Sequence, residues 1–236
     1  NVTGVQTCAL PIYWFSKAID FGTDYTSTVS GTTNRQGRSP SQFFVHDSMK
    51  GLASFDQPHA LLVRGSYQTP RIYNRFASTL VGRWSLNGVW LLKNGTPFTL
   101  ETGADGPGFG NVDGQQSDRP SLVDPSVLGR TIGNPDTSEQ LMPRSAFGYI
   151  TPDQYAGNLG RDVFRRGKIT NVNMSIERSW TLPYDSALQL RAESVNLFNT
   201  PQFDTPVTTL SSPTFAKITN TLNGGRVFHF RLQLQF

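Results

Sequence analysis

Three histidines, one cysteine and a run of four cations are the side chains of this 236-residue chain best equipped to bind or to react. His46, His59 and His229 stand too far apart for the ligand spacing of a zinc site, so they read as surface or lumen histidines. Cys8 has no second cysteine, and no disulfide or multi-cysteine metal centre can be argued. Gly106-Pro107-Gly108-Phe109-Gly110 has the glycines of a phosphate loop, but no strand leads directly into it and no helix pattern follows, so it reads as a flexible loop. Lys168 follows Gly167 but precedes Ile169, where a P-loop needs Ser or Thr. Serines and carboxylates abound without a placed histidine or an elbow motif, so no hydrolase triad can be assembled. Neither catalysis nor a cofactor is expected.

The densest basic cluster is Arg161, Arg165, Arg166 and Lys168. Guanidinium forks suit phosphate, so one reading is contact with lipopolysaccharide phosphates. The other is the solvated base of a loop without a specific ligand. The net charge is +4, yet Lys and Arg are scattered along the chain instead of forming a stripe, and nucleic acid is not an expected partner.

Strands must hold these residues. Hydrophobic residues make up only 36% of the chain, lean for a globular protein, and two-faced strands explain this because only alternate positions need be apolar. Residues 226–236 alternate to the last side chain: Phe228, Phe230, Leu232, Leu234 and Phe236 oppose His229, Arg231, Gln233 and Gln235. A strand of this length, apolar outward and polar inward, has the dimensions of a transmembrane β-strand. No apolar run reaches the roughly 18 residues of a membrane helix, which leaves barrels open. Five further segments alternate, at 13–21, 60–69, 82–93, 169–181 and 187–198, the first most weakly. On their polar sides lie Arg64, Asn87, Asn173, Glu177, Gln189, Arg191 and Glu193, which would face a barrel lumen or plug, where ion pairs between strands are the default.

Connections alternate in length. Spans of about 37, 65 and 26 residues, rich in Gly, Pro, Ser, Thr, Asn and Asp, interleave with short links after the second and fourth strands. Long structureless loops argue against an ordinary compact domain, whereas outer-membrane barrels have long loops outside and short periplasmic turns. Trp84, Trp90, Trp180, Tyr184 and Phe236 fall where interfacial aromatics would sit. The chain thus reads as all-β: a portion of an antiparallel transmembrane β-barrel, about six strands with long extracellular loops. A secreted β-sandwich binding module, for instance a carbohydrate-binding one, would share the alternation but pack its apolar face against a second sheet. A passive porin would also have this pattern.

Residues 1–12 resemble an in-frame translation of a sequencing-library adapter and are set apart from fold reasoning, which leaves 13–236 as barrel. In order, Ser16-Lys17-Ala18-Ile19-Asp20, Phe55-Asp56 with His59, Gly82 with Trp84, Leu86 and Gly88, and Gly95-Thr96-Pro97-Phe98 match one family. The match continues through Asp118-Arg119-Pro120, Gly157-Asn158-Leu159-Gly160-Arg161, and Arg191, Glu193 and Asn196-Leu197-Phe198-Asn199 with Pro201 and Phe203. It closes with Ser212-Pro213-Thr214-Phe215, Ile218-Thr219 and the aromatic end. So arranged, the chain resembles the C-terminal part of TonB-dependent outer-membrane receptors of the Oar-like type. Lys168 stands where the family tends to have Pro, Asn173 where Asp is common and Ala216 where Gly is usual, departures that touch only loop geometry. The resemblance implies a 22-stranded barrel in a Gram-negative outer membrane. It implies a plug and TonB box, not contained here, through which the TonB complex would drive uptake of a scarce, unknown small solute. It further implies that the barrel-assembly machinery recognises the last strand, with Phe228, Phe230 and Phe236 as the recognised residues. Outer-membrane lipid and lipopolysaccharide would surround the wall.

Overall fold

The computed structural model describes residues 7–21, 50–70, 82–104, 106, 108–109, 118–154 and 157–236. In chain order its strands are β1 (Thr7–Phe15), β2 (Ile19–Asp20), β3 (Gly51–Leu52), β4 (His59–Gln68), β5 (Ser85–Lys93), β6 (Pro97–Phe98) and β7 (Ser121–Leu122). They continue with β8 (Thr131–Ile132), β9 (Phe147–Gly148), β10 (Phe164–Arg166), β11 (Ile169–Thr181), β12 (Ala187–Val195) and β13 (Val227–Gln235). Six long strands form one open sheet in the order β1-β4-β5-β11-β12-β13, every neighbour antiparallel. Leaving aside the short strands, that order is an up-and-down meander, the wall topology of a barrel.

Directly paired residues share a face, so the ladders sort the side chains. On one side run the rows Leu61–Leu92–Thr170 and Val63–Trp90–Val172. Below them come Gly65–Gly88–Met174–Ser194–Phe228 and Tyr67–Leu86–Ile176–Ala192–Phe230, then Arg178–Leu190–Leu232 and Trp180–Leu188–Leu234. This face is apolar and uncovered: Phe230 is 76% exposed and Leu232 67%. Among the described residues no second sheet packs on it. The first strand also differs from expectation. It runs over Thr7–Phe15 instead of 13–21, taking in residues set apart as adapter-like, and Ile19–Asp20 leaves the sheet to pair with β3. β1 carries apolar side chains on both faces, with Leu10 and Trp14 opposite to Tyr13 and Phe15, and its Pro11 is tolerated because the strand lies at a sheet edge.

The packed core is elsewhere. Phe98, Leu100, Val127, Ile132, Met142, Phe147, Leu159, Phe164, Leu210 and Phe215 form one buried cluster, and all of them belong to the two long connections 94–168 and 196–226. Those segments were expected to lack structure; instead they fold into a cap at one end of the sheet. The cap carries a three-stranded sheet, β6-β10-β8, and the β7-β9 pair. A parallel bridge between Glu101 and Thr209, with Leu210 N donating to Glu101 O at 2.7 Å, ties the two connections together. The reason is composition: these loops hold enough Phe, Leu and Ile to offset the ordering of their backbone, which a purely polar loop could not.

Candidate functional site at the base of the cap

The charged residues singled out from sequence meet where the cap joins the sheet. Arg161 lies buried, its side chain 5% exposed, and pairs with the Asp20 carboxylate. Its Nη2 also donates to Asp20 O at 2.8 Å and its Nη1 to Asp162 Oδ2 at 3.3 Å. Arg165 pairs with the Asp56 carboxylate, whose side chain is 1% exposed, and donates to Asp56 O at 3.0 Å and Gly95 O at 3.2 Å. Asp56 Oδ1 in turn accepts from Ala18 N at 2.7 Å. Arg166 lies 3.7 Å from Asp204. Three of the four cations of the expected lipopolysaccharide patch are thus turned toward carboxylates of this chain. Lys168 is the exposed member. A linear sequence hides this because Asp20 and Arg161 are 141 positions apart.

The sequence motifs clasp one another here. Gly157 N donates to Arg119 O at 2.9 Å, Leu159 N to Pro120 O at 3.3 Å and Arg119 Nη1 to Leu159 O at 3.0 Å, so 118–120 and 157–161 form one unit. A Cβ on Gly157 would come within 2.2 Å of Pro120 backbone, and one on Gly95 within 2.1 Å of Arg166 O. Only glycine fits either place. Arg144 donates to the carbonyls of Leu210 and Ser212 and lies over the Phe215 ring at 5.4 Å, which seats the 212–215 motif. Asn196 and Asn199 adopt left-handed backbone at φ 55° and 53°, and Asn196 Oδ1 accepts from Thr200 N at 3.0 Å. The sparse chemistry of these motifs is therefore structural.

Burial sets the electrostatics. It raises the Asp162 carboxyl above the ordinary range, with the Thr99 hydroxyl bond at 2.8 Å and the Arg161 charge acting in the opposite direction. Burial also raises Glu101, and together with the charge of Arg161 it lowers Arg119.

On the sheet, Arg64, Asn87, Asn173, Glu177, Gln189, Arg191 and Glu193 all fall on the side opposite the apolar rows. Arg191 sits across from Glu177 at 3.5 Å and also pairs with Glu193. Asn173 Oδ1 accepts from Asn196 N at 2.9 Å, so its side chain is engaged with the following turn, a role an Asp would fill equally. On the apolar side Phe228 and Phe230 stack with ring centroids 6.5 Å apart, and Phe236 is fully exposed beyond β13. The sequence reading passed over Arg178. It lies in an apolar row near the short-turn end, only 5% exposed, with its guanidinium 5.0 Å from the Trp180 ring and 5.7 Å from Trp84. Its place four residues after Met174, in step with the apolar positions, was the available signal.

His59 Nδ1 and Tyr13 Oη form a hydrogen bond of 2.8 Å, and His229 lies on the polar face of β13; His46 is outside the described residues. In the glycine-rich stretch, Phe109 N bonds Gly106 O at 3.0 Å as a turn, while Pro107 and Gly110 are outside the described residues. Among the described residues no group of three or more His, Cys, Asp or Glu is placed to hold a metal ion, and no helix is long and apolar enough to cross a membrane. A family model for an outer membrane beta barrel domain matches residues 8–233. No curated protein and no solved structure matches the chain.

Proposed function

The chain belongs to the outer membrane beta barrel domain family and resides in the outer membrane of a Gram-negative bacterium; on that premise we propose that it forms the C-terminal wall and loop cap of a TonB-dependent receptor. Such a receptor binds a scarce solute at its outer loops and imports it when TonB pulls on a plug held in the lumen. The observation that carries this reading is the division of labour between the ends of the sheet. At one end the long connections build a packed cap held by buried ion pairs, and at the other the link between β11 and β12 is a tight turn. A cap outside and short turns in the periplasm is the arrangement of a ligand-gathering barrel. The ordered motifs of the Oar-like resemblance support the finer assignment, and the seven polar residues on one face supply a surface for a plug.

The test is uptake. In cells carrying the full-length protein, accumulation of its solute should stop when TonB is deleted or the proton gradient is collapsed. Unchanged uptake under both conditions would favour the porin reading, which the barrel family accommodates equally.

A further inference from the structure

β4 and β5 break the alternation kept by their neighbours in the wall. Leu61, Leu62 and Val63 are consecutive, as are Val89, Trp90, Leu91 and Leu92. A strand apolar on both sides is one that is covered on both sides, whereas the interior of a barrel is ordinarily polar. Pairing sorts the runs. Leu61–Leu92 and Val63–Trp90 belong to the lipid-facing rows, but the Leu62–Leu91 pair, and Val89 opposite Arg64, lie on the other side among the lumen residues. Leu62, Val89 and Leu91 are each only part-buried. Two cations frame them. On this face Arg64 stands one row from Leu62 on the side away from the cap, and Lys93 one row from Leu91 on the side toward it, paired with Ala60 and Ile169. Their levels are therefore about 13 Å apart along the strands, with the Leu62–Leu91 row between them. Ala60 and Ile169 are buried where the sheet runs up into the cap, so the patch lies directly beneath it. No ion pair among the described residues engages Arg64 or Lys93. The carboxylates of this face, Glu177 and Glu193, stand farther from the cap on β11 and β12, and both pair with Arg191.

We infer that this patch is a lumenal subsite for an amphipathic carboxylate, a solute whose apolar body lies on Leu62, Val89 and Leu91 while its carboxylates meet Arg64 and Lys93. The chemistry of the patch decides the class. A sugar or other wholly polar solute would leave the aliphatic side chains wet, and a neutral hydrocarbon would leave both cations unanswered. The Arg64 guanidinium offers a carboxylate a two-pronged donor, and Lys93 offers a point charge at the end of a long stem. The subsite deepens the proposed receptor by naming the class of its solute, and it rests on that reading for the assignment of this face to the transport path.

The probe is decanedioate, a water-soluble dicarboxylate with a hydrocarbon middle, and its binding to the full-length protein in mild detergent is read by equilibrium dialysis. Arg64→Gln with Lys93→Gln should weaken binding about tenfold, the loss of one good charge-assisted contact or more. Leu62→Asn with Leu91→Asn should weaken it with both cations in place, and Arg231→Gln, on the same face but on β13, should leave it unchanged. Decanediol and succinate each keep only half of the required chemistry and should bind about tenfold more weakly than decanedioate. A diazirine-bearing decanedioate should label Leu62, Val89 or Leu91 and spare Leu61, Val63 and Trp90, their neighbours on the lipid side. Wild-type affinity in the glutamine pair, in protein that still folds as judged by heat-modifiable migration, overturns the subsite. Labelling absent from Leu62, Val89 and Leu91, as when a plug occupies these rows, also overturns it. Uptake separates this inference from the receptor reading. Decanedioate that binds here and enters cells lacking TonB keeps the subsite and removes the receptor, whereas TonB-dependent uptake of another solute with no binding here keeps the receptor and removes the subsite.

Discussion

Asp56 holds two partners at once, the Arg165 guanidinium and the Ala18 amide, from a position with almost no contact with water. Asp56→Ala would strand both, and a broken buried pair costs roughly 3 kcal/mol. The full-length protein carrying it should show proteolysis within residues 95–165 under conditions that spare the parent. Arg191→Gln on the polar face, where the pairs are partly exposed, should cost less than about 1 kcal/mol. Glu101 has a pH signature. Because burial raises its folded carboxyl above the unfolded value, the folded cap retains a proton over a window where the unfolded chain has released it. Stability contributed there is present at low pH and falls as pH rises through the window. Glu101→Gln should therefore make the cap more stable at neutral pH and flatten its pH dependence, read by hydrogen exchange of the amides of Leu210 and Ser211, which bond to residues 101 and 102. A steeper dependence in the variant would contradict the assignment.

Among the elements, the β11–β12 hairpin combines a good register with a costly turn. Tyr184 and Asp185 both have left-handed backbone, φ 62° and 54°, as a type I′ turn demands, and Tyr184 in particular lacks the residue type that turn favours. Tyr184→Asn with Asp185→Gly should stabilise the hairpin by about 1–2 kcal/mol, seen as slower exchange at Leu182 N, which bonds Ser186 O. Should the exposed Tyr184 ring also anchor the barrel at the interface, membrane insertion of the same variant will slow although its turn is better formed. In β13, deletion of Phe236 from the full-length protein should reduce its outer-membrane level sharply if the aromatic end is an assembly signal; unchanged surface levels would remove that role. Phe228 and Phe230 are then the next residues to test.

At the scale of the whole molecule, the conventional arrangement of a globular protein is inverted: the dry core lies in the connections and the regular sheet has none. Its apolar rows are solvated only if hydrocarbon covers them. The full-length protein should stay monodisperse in detergent or bilayers and aggregate when amphiphile is withdrawn. Monodispersity in plain buffer, measured by light scattering, would refute the lipid-facing assignment of these rows.

The alternation that reveals β4, β5, β11, β12 and β13 is local, because neighbouring side chains on a strand point to opposite faces whatever else the chain does, and so five of the six wall strands and both faces of the sheet were legible in the sequence. β1 was not. Its residues 7–12 lack the alternation, and only pairing with β4 places them in the sheet. The cap was illegible for a related reason. Its core is assembled from Phe98, Phe147 and Phe215, and its ion pairs join Asp20 to Arg161 and Asp56 to Arg165, contacts between residues far apart in sequence that leave no period to detect. Arg161, Arg165 and Arg166, which look like a phosphate-binding patch in one dimension, become internal struts once folding brings Asp20, Asp56 and Asp204 to them, because the partners are set by tertiary closure and not by spacing along the chain.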